Sequence, residues 1–93
     1  MPLFVLTCLD KPDALPIRGA TREAHLAYLR EAGVVRLAGP FLNEQGEPVG
    51  SMLIVEAEDL AAARAFGAGD PYVAADLFRS VDVRPFRVTV GDL

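Results

Sequence analysis

Leu3-Phe4-Val5-Leu6-Thr7-Cys8-Leu9 decides the fold. The run has the length of a strand rather than of a helix, and Phe4, Val5 and Thr7 favour extended backbone. It lacks polar alternation, so the expected strand carries apolar groups on both faces: Leu3, Val5 and Leu9 on one, Phe4, Leu6 and Cys8 on the other. Asp10-Lys11-Pro12-Asp13 closes it with turn chemistry. A sheet containing such a strand needs cover on two sides, and the rest of the chain says how much of it is available.

Leu15, Pro16 and Ile17 lead into a helix expected from about Thr21 to Ala32. Thr21 is read as its N-cap, Glu23 lies in the first turn, Arg30 in the last, and Gly33 stops it. Val34 to Ala38 reads as a second strand ended by Gly39-Pro40. The polar segment Asn43 to Pro48 links it to a third strand, Ser51 to Val55. Asp59 caps a second helix, Leu60 to about Ala68, with Ala63 and Phe66 facing the core and Gly67 and Gly69 ending it. Asp70-Pro71 opens a short helix to Leu77, because Asp caps and Pro fits a first turn that needs no donor. Ser80 to Val90 is the last strand.

The order β-α-β-β-α-(α)-β is the ferredoxin-like pattern of an α+β fold. It predicts a four-stranded antiparallel sheet with helices on one face, in one domain spanning residues 1–93. Two main helices cover one face only. The economical cover for the other is a second copy of the chain, so a homodimer packed through the helix-free sheet face is expected.

Composition narrows the partners. Hydrophobic residues make up 52% and charged residues 24%, which is globular and excludes disorder. The net charge is −4 with no basic run, so nucleic acid binding lacks its main electrostatic term and is set aside. One cysteine, Cys8, excludes an internal disulfide and fits a reducing compartment. The N-terminus has no basic region ahead of its apolar run, and no run is long enough to span a bilayer. A cytoplasmic protein without membrane contact is expected.

His25, within Ala24-His25-Leu26-Ala27-Tyr28-Leu29, is the only histidine. Leu26, Leu29 and Gly33 follow it at helical spacing, so it lies on or beside the buried stripe and needs a polar partner. Asp70 is the best candidate. A carboxylate that accepts one ring N–H fixes the tautomer and leaves the other nitrogen as a base. The same two residues also fit a satisfied structural histidine and a capping aspartate, and an aspartate can do both. Ser51, after Gly50, could donate to a ligand oxygen or satisfy local backbone. Arg18 and Arg22 could meet a substrate carboxylate, or lie at a solvated helix end or a dimer contact. Tyr72 could line a pocket or simply pack. Cys8 reads as an inert buried thiol. A lone histidine and a lone cysteine do not make an ordinary metal site, and Gly67-x-Gly69 is no dinucleotide fingerprint, so neither metal nor cofactor is expected.

Several motifs in order carry a resemblance over almost the whole chain. They are the opening strand into Asp10-Lys11-Pro12, Arg18 and Arg22 ahead of the His25 segment, Ala38-Gly39-Pro40 and Gly50-Ser51. They continue with Leu60 to Arg64, Asp70-Pro71-Tyr72-Val73-Ala74-Ala75 and Val81-Asp82-Val83-Arg84-Pro85-Phe86. In these the sequence resembles the YciI-like (YCII-related) family of the dimeric α+β barrel superfamily. The resemblance implies a histidine–aspartate pair at an active site, which falls on His25 and Asp70. It also implies kinship with small enzymes acting on aromatic breakdown products, including a dehydrochlorinase, and with muconolactone isomerases. Asp76 departs from the pattern, since relatives commonly have glycine there, and it adds an acid near the expected pocket. The expected function is a small-molecule enzyme of lyase, isomerase or hydrolase type, acting on a small anionic or aromatic ligand. The alternative is a non-catalytic ligand-binding or accessory dimer. A related dioxygen-using monooxygenase has less support, because nothing here marks its residues.

Overall fold

The structure, a computed structural model, describes residues 1–93. Its elements are β1 (Leu3–Asp10), α1 (Leu15–Ala32), β2 (Val35–Leu42), β3 (Pro48–Glu56), α2 (Leu60–Ala68), α3 (Pro71–Ala74) and β4 (Phe78–Phe86). The four strands form one antiparallel sheet in the order β2-β3-β1-β4. This is the expected ferredoxin-like α+β arrangement, with β1 and β3 inside and β2 and β4 at the edges.

Pleating sorts the apolar run of β1 into two sets. Phe4, Leu6 and Cys8 are buried with Leu53 and Val55 of β3, Leu29 of α1 and Ala63 of α2, and this cluster is the main core. Leu3, Val5 and Leu9 point to the face that no helix covers and stay half-buried. Ile54 lies opposite Val5 on that face, and Met52 opposite Thr7. Leu37 and Phe86 there remain 42% and 41% exposed. Burial of both faces of β1 therefore holds for only one face within the chain itself.

Several boundaries differ from expectation for physical reasons. α1 begins at Leu15, well before Thr21, because Pro16 falls in the first turn, where the missing N–H has no partner to lose. Thr21 and Glu23 are thus interior residues, whereas Arg30 and Gly33 close the helix as expected, Gly33 at φ 71°. Gly39-Pro40 does not end β2, which runs on to Leu42. β2 is an edge strand, so a proline there removes no ladder donor, and Pro85 in the other edge strand is tolerated likewise. β3 extends from Pro48 to Glu56. α3 is a single turn that stops at Ala74, and β4 ends at Phe86 rather than Val90. The expected α2 is present, with Asp59 accepting from the Ala62 N–H at 2.8 Å.

Candidate active site

Because α1 reaches back to Leu15, Arg18, Arg22, His25 and Leu29 recur at i, i+4, i+7 and i+11, which is one helix face. That face borders a cavity of about 340 Å³ between α1, β2, β3 and α3. The volume is at the small end of the range for small-molecule sites. Arg18, Arg22, His25, Ser51 and Tyr72 all line it.

His25 is buried, and its Nδ1 lies 2.8 Å from Oδ1 and 2.9 Å from Oδ2 of Asp70. An ionised carboxylate only accepts, so the Nδ1–H is the donor and the neutral ring carries its lone pair on Nε2. Nε2 has no partner in the protein, yet no buried side-chain nitrogen or oxygen lacks one. Nε2 therefore opens to the cavity. Asp70 is also fixed from its own side. It is the N-cap of α3, accepting from the Tyr72 N–H at 2.9 Å, with Pro71 in the first turn.

Capping also delivers Tyr72. Its ring stacks on His25 with centroids 4.0 Å apart at 17°, and the Arg18 guanidinium lies 4.8 Å from the centroid of the same ring. Burial pushes the Tyr72 phenol up, Asp70 adds to this, and Arg18 and Arg22 pull the other way.

Arg18 is the second buried charge of the site. Its Nε donates to Asp10 Oδ2 at 2.8 Å, and its Nη2 donates to Asp10 Oδ1 and to Ser51 Oγ, both at 2.9 Å. Burial works against this cation, but the hydrogen bonds and charge of Asp10 more than offset it, so its pKa rises above the usual value. Arg22 is exposed beside the cavity and makes no ion pair.

Asp10 was legible only as turn chemistry. The missed signal was the helix start: with α1 drawn from Leu15, Arg18 falls on the stripe of His25, and a buried arginine demands a nearby acid. Two other residues lie outside the site. Burial first, with Asp70 and Asp10 adding and Arg18 opposing, pushes the Cys8 thiol up to about 12, consistent with an inert thiol. Asp76 adds no acid to the cavity. It is exposed and pairs with Lys11 at 2.6 Å.

Fold and site together define a ferredoxin-like α+β protein with a histidine–carboxylate pair facing a small-molecule-sized cavity. Residues 2–87 match the YCII-related domain, and the chain belongs to that family. It is 40% identical to protein YciI of Escherichia coli over 91% of this chain and 96% of that one. An uncharacterized protein of Haemophilus influenzae is 34% identical over 90% and 95%. Among solved structures, 5-chloro-2-hydroxyhydroquinone dehydrochlorinase (TftG) of Burkholderia phenoliruptrix, in complex with 2,5-dihydroxybenzoquinone, superposes with TM-score 0.83. It is 32% identical and covers 91% of this chain and 93% of its own. An antibiotic biosynthesis monooxygenase, 17% identical at TM-score 0.60 over 97% and 100%, shares the fold.

Proposed function

We propose that this protein is a small-molecule enzyme in which His25 acts as general base and acid, oriented by Asp70, on an aromatic or quinone-type ligand. The observation that carries the reading is the polarity of the pair: Nδ1 is committed to Asp70 while Nε2 is open to the cavity. A neutral imidazole held in one tautomer can take a proton from a ligand and return it elsewhere. Elimination, isomerisation and hydrolysis can all be built on that transfer, with side chains alone. The likeness to TftG supports a cyclic, oxygen-rich ligand. Ser51 supplies a donor to a ligand oxygen, Tyr72 an aromatic wall and Arg22 a cation at the mouth. The same reading seats a second copy on the open sheet face and places the protein in the cytoplasm, where the lone thiol stays reduced.

The test uses two compounds. The wild-type protein is expected to release chloride from 5-chloro-2-hydroxyhydroquinone or to speed deuterium exchange at the ring C–H of 2,5-dihydroxybenzoquinone. His25→Gln should slow whichever reaction is seen by about 10²- to 10⁴-fold. Asp70→Asn should slow it as well, since an amide no longer enforces the tautomer. Because Asp70 also caps α3, a purely structural pair is the competing reading. It predicts that Asp70→Asn lowers the melting temperature and that no proton transfer is accelerated by the wild type.

A further inference from the structure

The buried pair Asp10–Arg18 has no part in the proton transfer assigned to His25. It is nonetheless costly to build. The two side chains are 5% and 8% exposed, and burying an ion pair brings a desolvation penalty that often cancels its attraction. Asp10 stands where the β1–β4 register slips: Leu9 faces Ser80 but Asp10 faces Phe78, leaving Arg79 over. Slips of this kind re-aim side chains beside functional sites.

The geometry has a directional consequence. A guanidinium binds a carboxylate best through two parallel N–H groups, and Asp10 already fills the Nε and Nη2 edge. The remaining Nη2 proton goes to Ser51 Oγ, so of the second edge only Nη1, which has no partner in the protein, stays free. One nitrogen cannot supply the two parallel N–H groups of a fork. Ser51 thus accepts from Arg18, and no group of the protein accepts the Ser51 proton. A serine hydroxyl has one proton to give. In a residue that lines the cavity, that proton is available to a ligand.

We propose that Asp10 is a specificity-determining positioning residue: it withholds the Arg18 fork from carboxylates and phosphates and, through Arg18, aims the Ser51 hydroxyl at a single phenol- or enol-type oxygen. The inference rests on the cavity being a ligand site, as in the function proposed above, but not on the acid–base role of His25. Arg22 is then the one unpaired cation that a ligand meets, and it meets it at the rim.

Two simple probes, benzoate and 4-nitrophenolate, separate the alternatives by calorimetric titration. The wild type should prefer 4-nitrophenolate. Asp10→Asn should gain roughly tenfold or more in benzoate affinity, because a charge-assisted fork is released. The double variant Asp10→Asn/Arg18→Gln should lose that gain. Loss of packing cannot by itself create affinity for a carboxylate. Ser51→Ala should bind 4-nitrophenolate about tenfold more weakly, the usual worth of a hydrogen bond to a charged oxygen, with benzoate binding unaltered. Unchanged benzoate affinity in folded Asp10→Asn overturns the inference, as does a wild type without preference for 4-nitrophenolate. Should Asp10→Asn fail to fold, Ser51→Ala decides alone: lost phenolate affinity supports the aiming role, and unchanged affinity overturns it. His25→Gln keeps the fork and the serine. If it retains the probe preference while proton transfer fails in every protein, the acid–base reading falls and this one stands.

Discussion

Asp76 shows how much one backbone angle can decide. Its φ is +60°, the left-handed region that an L-residue enters at a cost and that Asp and Asn enter more readily than most. A glycine at this position would meet the same requirement without the Cβ penalty. Asp76→Gly should therefore stabilise the protein by up to about 1 kcal/mol, despite losing an exposed pair with Lys11 that contributes little. Asp76→Val should cost about 1–2 kcal/mol. Urea midpoints of the two variants check this; a Val variant as stable as wild type would show the turn to be free of that constraint. The departure was visible in the sequence, but its consequence was not, because φ follows from where α3 stops. His25 and Asp70 were legible for the opposite reason. A lone histidine on an apolar stripe needs a partner, and an Asp-Pro helix start gives that partner a fixed position.

At the scale of elements, the close approach of α2 to the sheet depends on an absent side chain. A Cβ on Gly67 would stand 2.8 Å from Cδ2 of Leu6, in the middle of β1. Gly67→Ala should gain helix propensity of about 1 kcal/mol but lose about 1–3 kcal/mol to overpacking, because Leu6 is fully buried and has little room to turn. A net loss of thermal stability is expected, read by calorimetry. A higher melting temperature would mean that the helix can shift outward instead. The element pattern itself was mostly readable, since β1, α2 and the strand–helix order follow from periodicity and caps. The errors at α1 and β2 share one cause. Pro16 and Pro40 look locally like boundaries, and each sits where a proline costs nothing: a first helical turn and a sheet edge. Which strands are edges is a property of the sheet, and no local window of sequence contains it.

For the whole molecule, the open sheet face makes the boldest demand. Leu3, Val5, Leu9, Met52, Leu37 and Phe86, around the buried Ile54, would leave a broad apolar surface partly wet in a lone chain. Sedimentation at micromolar concentration should return twice the chain mass, and Val5→Asp, in the middle of that face, should return the monomer. A wild-type monomer, or a dimer indifferent to Val5→Asp, rules out this seat. Cys8 offers a second gauge. Its thiol titrates at about 12 in the folded protein and near 8.5 in an unfolded chain, so the unfolded state sheds its proton first as pH rises. Stability should decline from about pH 8.5 upward, and the decline should be shallower in Cys8→Ala. Since Cys8 lies on an inner strand, an alkylating reagent can reach it only while the centre of the sheet is open. The speed of that reaction is then a clock for opening. In a protein held together as two copies, the clock should run slower as the solution is made more concentrated.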